Sequence, residues 1–177
     1  MAFGLLLHSD ERGHTMKTLI RCLEYLDRSY VVYSHSIHSP AYTAREVAAA
    51  ERIPADEIAK TVVYFGDNGF GMVVLPADCL VNFAEVGRLM GLSHVRLASE
   101  AELAGLFPGS DLGAMPPFWN ETEMPVLVDE NVAAAEFIAF NAGTHRDVIR
   151  MSLADFRRLV NPLVAAFAVK ERVLASI

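Results

Sequence analysis

The sequence predicts an α+β fold in which helices surround a mixed β-sheet. Strand-like and helix-like segments alternate along the chain. Two pairs of consecutive apolar runs are joined by segments rich in Gly and Asn, which are typical of hairpins, and a hairpin excludes a purely parallel sheet. The 177 residues, 53% hydrophobic and 21% charged, suit one globular domain with a substantial core.

The first convincing helical pattern covers residues 16–27, where leucines recur at helical spacing. We therefore expect residues 1–15 to be a flexible leader and 16–177 to form the single domain. Residues 30–34 combine β-branched and aromatic side chains and predict a strand. A loop follows this strand.

The next helix is predicted from its capping sequence. Thr43 and Glu46 have the spacing of a capping box, which predicts a helix through Ala50. Residues 54–59 predict one more helical turn. The same pattern, an acid three residues after Asn or Ser, predicts helices of about 8 to 10 residues at Asn82, Ser99 and Ser152.

Two hairpins and two shorter strands complete the prediction. The apolar runs 61–65 and 72–75 form the first hairpin, and the glycine-rich segment 66–71 predicts a loop longer than two residues. A short strand is expected at 94–97. Further along, we expect a buried strand at 125–128 ending at Asp129, a hairpin of 136–140 with 147–151 around the turn 141–145, and a final helix in the Ala- and Val-rich tail.

Composition excludes several classes of protein. A formal net charge of −7 argues against a protein that coats long nucleic acids, but leaves room for a local basic contact to an RNA end or a nucleotide. Cys22 and Cys79 lack metal-site spacing and are expected to be buried thiols. The apolar patch at 3–7 is too short for a signal peptide or a membrane span. We therefore expect a cytoplasmic protein without a membrane partner.

Familiar catalytic motifs are missing from the sequence. Six histidines are present, but they form no His-Glu-x-x-His motif, and His35 and His38 lie three apart in a predicted loop. Nucleophile elbow, Walker and dinucleotide fingerprints are also absent. We expect neither a metal nor a cofactor.

Two features could carry chemistry. The proline loop, residues 113–117 (Gly-Ala-Met-Pro-Pro), is excluded from helices and central strands and could offer its backbone to a ligand; the alternative is a rigid, exposed surface turn. Lys60 stands at the head of a strand. Its ammonium group could simply extend to solvent, bind a phosphate or carboxylate, or act as a base if desolvation lowers its pKa.

The order of these features resembles the YbaK/prolyl-tRNA-synthetase-associated domain family over approximately residues 17–160. The most specific similarities are the Lys60-Thr61 pair opening a strand and the Gly-x-x-Pro-Pro loop. The other positions that carry the resemblance follow strands or begin a helix: Tyr33, His35, Thr43, Asp129 and Gly143. Members are trans-editing aminoacyl-tRNA deacylases and the editing domain of bacterial prolyl-tRNA synthetases.

The resemblance implies a partly closed, barrel-like sheet surrounded by helices and a metal-free hydrolysis of a mischarged aminoacyl ester on the tRNA acceptor end. It implies catalytic roles for Lys60 and Gly113. The substrate-binding residues that it implies are His35, Thr43, Lys60, Thr61, Met115, Pro116, Pro117, Asn141, Gly143 and His145. An aminoacyl-tRNA synthetase is a further partner that it allows.

Two other functions remain open at this point. A non-catalytic protein of the same fold could bind tRNA ends, a nucleotide or a synthetase as an interaction module. A small-molecule esterase or amidase would act on free amino-acid esters without tRNA. Which amino acid an editing site would remove is not predicted.

Overall fold

The computed structural model describes residues 12–55, 57–118 and 123–170. Helices and strands alternate along these residues in the order α1 (Arg12–Arg28), β1 (Tyr33–Ile37), α2 (Ala44–Glu51), β2 (Ala59–Gly66), β3 (Gly69–Pro76), β4 (Cys79–Val81), α3 (Phe83–Met90), β5 (Val95–Leu97), α4 (Glu100–Leu106), β6 (Val126–Asp129), α5 (Glu130–Ala133), β7 (Phe137–Asn141), β8 (Asp147–Ser152), α6 (Leu153–Val160), β9 (Leu163–Ala165) and β10 (Ala168–Lys170).

The largest sheet is mixed, as predicted. Its strand order is β5-β2-β3-β6-β9. The β2–β3 hairpin and the β2–β5 pair are antiparallel, whereas β3 with β6 and β6 with β9 are parallel. The predicted α+β fold is therefore confirmed.

The remaining strands form two smaller sheets. The order β1-β8-β7 is antiparallel throughout, and β10 pairs with β4. A parallel bridge between Ile58 and Ala139 joins the three-stranded sheet to the start of β2. The described strands thus form several sheets and not one closed barrel.

The predicted capping residues begin their helices. Thr43 and Ser99 each accept a hydrogen bond from the backbone of the glutamate three residues on, and each glutamate bonds back to the cap, which completes both capping boxes. Asn82 and Ser152 accept from the third helical residue in the same way. Local hydrogen bonding therefore fixed these four helix starts.

The first hairpin has a tighter turn than predicted. The strands extend to the Gly66–Gly69 pair, so only Asp67 and Asn68 form the turn. Gly69 has φ +101°, as a residue that follows a type I turn and forms a bulge does. Gly71 lies within β3, opposite Tyr64. The Tyr64 ring covers this position, and a Cβ there would be 2.3 Å from the ring, so only glycine fits. This glycine serves packing and not loop flexibility.

Three predicted boundaries in the N-terminal part change. Helix α1 begins at Arg12, inside the segment predicted as a leader, while residues 1–11 lie outside the described part of the chain. Strand β1 begins at Tyr33 and not at Tyr30, which has φ +55° and cannot belong to a strand. In the segment predicted as a helical turn, residues 54, 55 and 57–59 are not assigned to a helix; the Glu57 amide donates to the Pro54 carbonyl in a single turn, and β2 begins at Ala59.

The prediction of a helical tail is wrong for residues 163–170, and 171–177 lie outside the described part. The segment forms β9 and β10 because the carboxylate of Asp129 accepts hydrogen bonds from the amides of Phe167 and Ala168, at 3.0 and 2.8 Å. Strand β6 provides the edge on which β9 pairs. Tertiary pairing overrides the helical composition of this segment.

The core lies on both sides of the sheets. One cluster packs α1 and α6 against the three-stranded sheet and includes Leu26, Phe140, Ile149 and Phe156. The two cysteines are buried, as predicted, and burial raises the pKa of the Cys22 thiol to about 12. None of the helices in the described ranges has the length and apolar character that a membrane crossing needs.

Candidate active site

A cleft of about 480 Å³ opens where the start of β2, the end of β7 and the proline loop meet. It brings together six of the residues that the sequence predicted: Thr43, Lys60, Thr61, Gly113, Met115 and Asn141. These residues come from segments almost 100 positions apart in the chain. We call this cavity the ester cleft below, for the chemistry that the sequence predicted for its residues.

Strand β2 contributes a backbone edge to the ester cleft. Five consecutive residues, 58–62, line it, whereas a strand that presents one face contributes every second residue. Strand β5 pairs with β2 only from Tyr64 onward, which leaves the first half of that edge without a partner in this sheet. Lys60 is half-buried there and Thr61 is buried, so a cation and a hydroxyl lie at the cleft.

The proline loop forms a buried wall and not the exposed turn that its sequence allowed. Gly113 is exposed, but residues 114–118 are buried. The loop is held by the β7–β8 loop (residues 142–146): the Gly143 amide donates to the Ala114 carbonyl at 2.7 Å, and the Asp111 amide donates to the Gly143 carbonyl at 2.8 Å. Gly113 has φ +85°, a conformation that favours glycine.

Several hydrogen-bonding groups at the ester cleft have no partner in the described part of the protein. Oγ1 of Thr61 and Oδ1 of Asn141 are buried and accept or donate no hydrogen bond there. The backbone amides of Gly113 and Met115 likewise donate to no acceptor among residues 12–55, 57–118 and 123–170. The buried atoms of Thr61 and Asn141 are costly to leave unpaired, so a ligand that pairs with them would bind favourably.

The charged side chains that line the ester cleft are both cationic. They are Lys60 and Arg45, and Arg45 follows the capping Thr43 by two positions. The chain as a whole carries a net charge of −7. Two cationic side chains therefore lie where an anionic ligand would enter.

Five predicted site residues lie outside the ester cleft, and four of them have structural partners instead. Nε2 of His35 contacts Oδ1 of Asp147 at 2.6 Å, and Thr144 donates to the other carboxylate oxygen, so Asp147 at the start of β8 links His35 to the β7–β8 loop. Gly143 packs on α1, where a Cβ would lie 2.7 Å from Cγ2 of Thr18. Pro116 and Pro117 are buried behind the cleft wall. Their effect on the site is indirect.

His145 lines a neighbouring groove together with Tyr42, which borders both cavities. The two rings are 4.9 Å apart with an interplanar angle of 51°. Tyr42 was not among the predicted site residues, and neither were the other residues that line the cleft: Arg45, Ile58, Ala59, Val62, Ala77 and Leu80. The position of Tyr42 directly before a helix cap was the one available signal, since helix N-termini are frequent ligand sites.

A larger open groove of about 610 Å³ lies at the far end of β2, near Phe65 and Arg96. None of the predicted site residues lines it. In the described segments, no group of three or more His, Cys, Asp or Glu side chains could hold a metal ion. The convergence of polar groups therefore favours the smaller ester cleft as the functional site.

Residues 38–159 match the family described as the aminoacyl-tRNA editing domain, which is more than half of the chain. The chain belongs to the aminoacyl-tRNA editing domain family. The resemblance inferred from the sequence is thereby confirmed. The matched range contains every residue of the ester cleft but not His35.

Relatives and solved structures agree with this membership. The proline–tRNA ligases of Leuconostoc citreum and Stenotrophomonas maltophilia are 30% and 31% identical over 59% and 66% of this chain. The chain spans only 18% and 23% of those ligases. A crystal structure of a protein proposed as a trans-editing enzyme for prolyl tRNA synthetase has a TM-score of 0.76 at 23% identity, covering 88% of this chain and 98% of that one. At this identity the likeness shows the editing-domain fold.

Proposed function

We propose that this editing domain hydrolyses the ester bond of a mischarged aminoacyl-tRNA. The single observation that carries the proposal is the ester cleft, which Lys60, Thr61, Asn141 and two residues of the proline loop line together. The similarity of this chain to proline–tRNA ligases supports the acceptor end of a tRNA as the substrate and a synthetase as a functional partner. A protein with this substrate would act in the cytoplasm.

Ester hydrolysis needs little from the protein beyond orientation and charge stabilisation. Water adds to the ester carbonyl, the carbonyl oxygen becomes an oxyanion, and collapse releases the amino acid from the ribose hydroxyl. The amides of Gly113 and Met115, which have no acceptor in the described part of the chain, are suited to stabilise this oxyanion. Gly113 has a positive φ, so the conformation of the backbone that carries these amides favours glycine at this position.

Lys60 has a different role in this proposal. An ammonium group is a compact positive charge that binds a phosphate or a ribose-linked ester oxygen without fixed geometry. Its position on a hydrogen-bonded strand, opposite Leu75, restricts where that charge lies. We assign it to orienting the terminal nucleotide and the ester, with Arg45 as the second cation of the cleft.

Size exclusion would select the amino acid. Met115 is 5% exposed and packs in a core cluster, so the cleft wall cannot move away easily. A synthetase pocket distinguishes one methylene by only about 1 to 3 kcal/mol, which is why a second hydrolytic site is useful. The rigid wall admits small side chains and excludes larger ones.

The direct test is hydrolysis of a panel of mischarged tRNAs, including Ala-tRNA(Pro) and Cys-tRNA(Pro). We expect the protein to release at least one of these amino acids faster than buffer does. Lys60→Ala should lower kcat/KM by about a hundredfold, since the loss of one preorganised charge contact has effects of this size.

Lys17→Ala is the matched control, because Lys17 is an exposed lysine of α1 that does not line the cleft. It should hydrolyse the esters at the parent rate. If no ester is released faster than in buffer, or if Lys60→Ala is as active as Lys17→Ala, the catalytic proposal is wrong. Binding of tRNA without turnover would support the interaction module, and hydrolysis of free amino-acid esters alone would support a small-molecule esterase.

A further inference from the structure

A second cavity, which we call the side groove, lies beside the ester cleft and shares Tyr42 with it. Its volume is about 420 Å³. The residues that line it are Pro40, Tyr42, Asp111, Leu112, His145 and Arg146. Because Tyr42 lines both cavities, a polymer whose end lies in the ester cleft can continue into the side groove.

Tyr42 presents an exposed aromatic face from a fixed segment. The residue is 72% exposed, although the His145 ring lies against it at 4.9 Å. Its backbone amide donates to Oε2 of Glu46 at 2.8 Å, and the neighbouring Ala41 amide donates to the His145 carbonyl at 2.9 Å. An exposed ring on a hydrogen-bonded backbone is a stacking platform for a nucleobase.

Arg146 supplies a positive charge on the same groove. Its backbone is fixed at both ends, because its amide donates to Oγ1 of Thr144 at 3.1 Å and its carbonyl accepts from the His38 amide at 2.9 Å. Its exposed guanidinium makes no hydrogen bond or ion pair with any residue that the structure describes. A fixed backbone with a partnerless guanidinium suits a phosphate.

The charge of the side groove limits the size of its ligand. Asp111 also lines the groove, and its Oδ2 accepts from the His145 amide at 3.0 Å. One cation with one carboxylate suits a single phosphodiester and disfavours a polyphosphate. Nδ1 of His145 is buried and has no hydrogen-bond partner among the described residues. This atom is therefore available to bond a ligand beside Tyr42.

We propose that the side groove binds the nucleotide that precedes the terminal adenosine of the tRNA, and this inference rests on the proposed function of the ester cleft. The base stacks on Tyr42, and the phosphate that links it to the terminal adenosine contacts Arg146. The single-stranded 3′ end of tRNA is the partner, so recognition does not require the tRNA body. Aromatic stacking combined with a basic side chain is the usual basis of such binding.

The first experiment compares two ester substrates of the same amino acid, one on adenosine and one on the dinucleotide CpA. The parent should prefer the CpA ester in kcat/KM by about tenfold, the size expected for one stacked base. Tyr42→Ala and Arg146→Ala should each reduce this ratio to about twofold, whereas Tyr42→Phe should keep it. Arg157→Ala, which changes an exposed arginine of α6 outside both cavities, is the matched control.

The second experiment measures binding without hydrolysis, by fluorescence anisotropy. The probes are an uncharged RNA hairpin ending in CCA and the same hairpin with an abasic residue before the terminal adenosine. The parent should bind the intact hairpin about tenfold more tightly, and Tyr42→Ala should bind both equally.

The two proposals fail differently. If esters are hydrolysed but neither the CpA ester nor the intact hairpin is preferred, the side-groove inference is wrong and the deacylase stands. If no ester is hydrolysed but the Tyr42-dependent preference between hairpins is measured, the deacylase proposal is wrong and the nucleotide site stands. If Tyr42→Ala lowers the affinity for both RNA hairpins by the same factor, the inference is also contradicted, because Tyr42 would then act in the ester cleft alone.

Discussion

Individual polar groups give the ester cleft its binding potential. The hydroxyl of Thr61 and the amide oxygen of Asn141 are buried without a partner in the described part of the chain. Leaving such a group unpaired costs about 1 to 3 kcal/mol of folding free energy. This cost is offset when a substrate supplies the missing hydrogen bonds, so the same groups that weaken the free protein would strengthen the complex.

Thr61→Val separates these two effects. The substitution replaces the unpaired hydroxyl with a methyl group, so we expect the free energy of unfolding to stay within about 0.5 kcal/mol or to increase by up to about 1 kcal/mol. The kcat/KM for ester hydrolysis should fall by about tenfold. Urea unfolding and the deacylation assay measure the two quantities. A variant that is clearly less stable would show that the hydroxyl has a structural partner.

The two positive-φ glycines of the site should respond unequally to alanine. Gly113→Ala has open space, since the nearest atom to its Cβ is 3.9 Å away, so it should lose only about 1 kcal/mol of stability through backbone strain. Gly143→Ala should lose about 2 to 4 kcal/mol, because its Cβ would meet Thr18 at 2.7 Å in addition to the strain. Equal losses in urea unfolding would contradict this account. Activity should fall in Gly113→Ala although the protein remains folded.

At the scale of secondary-structure elements, one carboxylate determines how the C-terminal strands attach. Asp129 is fully buried at the end of β6 and accepts from the amides of Phe167 and Ala168 and from both nitrogens of Asn131. Burial alone would raise the pKa of this carboxyl, but these hydrogen bonds outweigh it and lower the pKa below the usual 3.8. The ionised form is thus the one that holds β9 and β10.

This pKa shift predicts an acid-sensitive stability. A carboxyl with a lowered pKa in the folded protein contributes fully above its unfolded value, near 3.8, and loses that contribution as the pH falls through its lower folded value. Asp129→Asn should lower the free energy of unfolding by about 3 kcal/mol at pH 7, and its deficit should shrink below about pH 4. Urea unfolding at several pH values measures both.

Asp155→Asn is the control for this experiment. The Asp155 carboxylate is 32% exposed at the start of α6, and its pKa is lowered chiefly by Arg158 and Ser152. Asp155→Asn should lower the free energy of unfolding at pH 7 by much less than Asp129→Asn does, because solvent screens an exposed ion pair. If Asp129→Asn lowers the free energy of unfolding no more than Asp155→Asn does, the buried carboxylate does not hold the terminal strands.

At the scale of the whole molecule, charge is distributed unevenly. The net charge is −7, yet the ester cleft and the side groove together are lined by Arg45, Lys60 and Arg146 against the single carboxylate of Asp111. The net charge of the whole chain is unfavourable for RNA, so the proposed tRNA contact relies on these three cations. Binding should therefore be confined to the 3′ end of the tRNA.

This distribution predicts a weak salt dependence of tRNA binding. Three cations at about −0.7 each for a single strand give a slope of about −2 in a plot of log binding constant against log salt concentration. Arg45→Ala should reduce the slope by about 0.7. A slope steeper than about −5 would indicate extended contact with the duplex and would contradict recognition of the 3′ end alone.

Local sequence signals predicted much of the fold. Capping residues located the starts of the helices after Thr43, Asn82, Ser99 and Ser152, because a cap is satisfied within a few residues. Pairs of apolar runs on either side of turn residues located both hairpins. Strand β4 and the short helix α5 were missed, since three or four residues carry too little pattern to be recognised.

The candidate site was predicted in part. Lys60, Thr61, Gly113, Met115 and Asn141 were named from their order along the chain, and they lie in one cleft. The resemblance implied catalysis or substrate binding for all of its site residues and did not separate those that line the cavity from those that hold the wall in place. His35, Gly143 and the two prolines belong to the second group, because their neighbours are Asp147, Thr18 and the buried side of the proline loop.

The sequence by itself determined the family, the mixed sheet and the helix starts, since each depends on residues close together or on an order along the chain. Only the tertiary structure decided that the proline loop is buried, that the tail forms strands and that Tyr42 joins two cavities. These features depend on hydrogen bonds and contacts across 30 to more than 100 residues, such as Asp129 with Phe167 and Tyr42 with His145. Long-range partners of this kind override local propensity, because burial and pairing contribute more free energy than a residue's intrinsic preference.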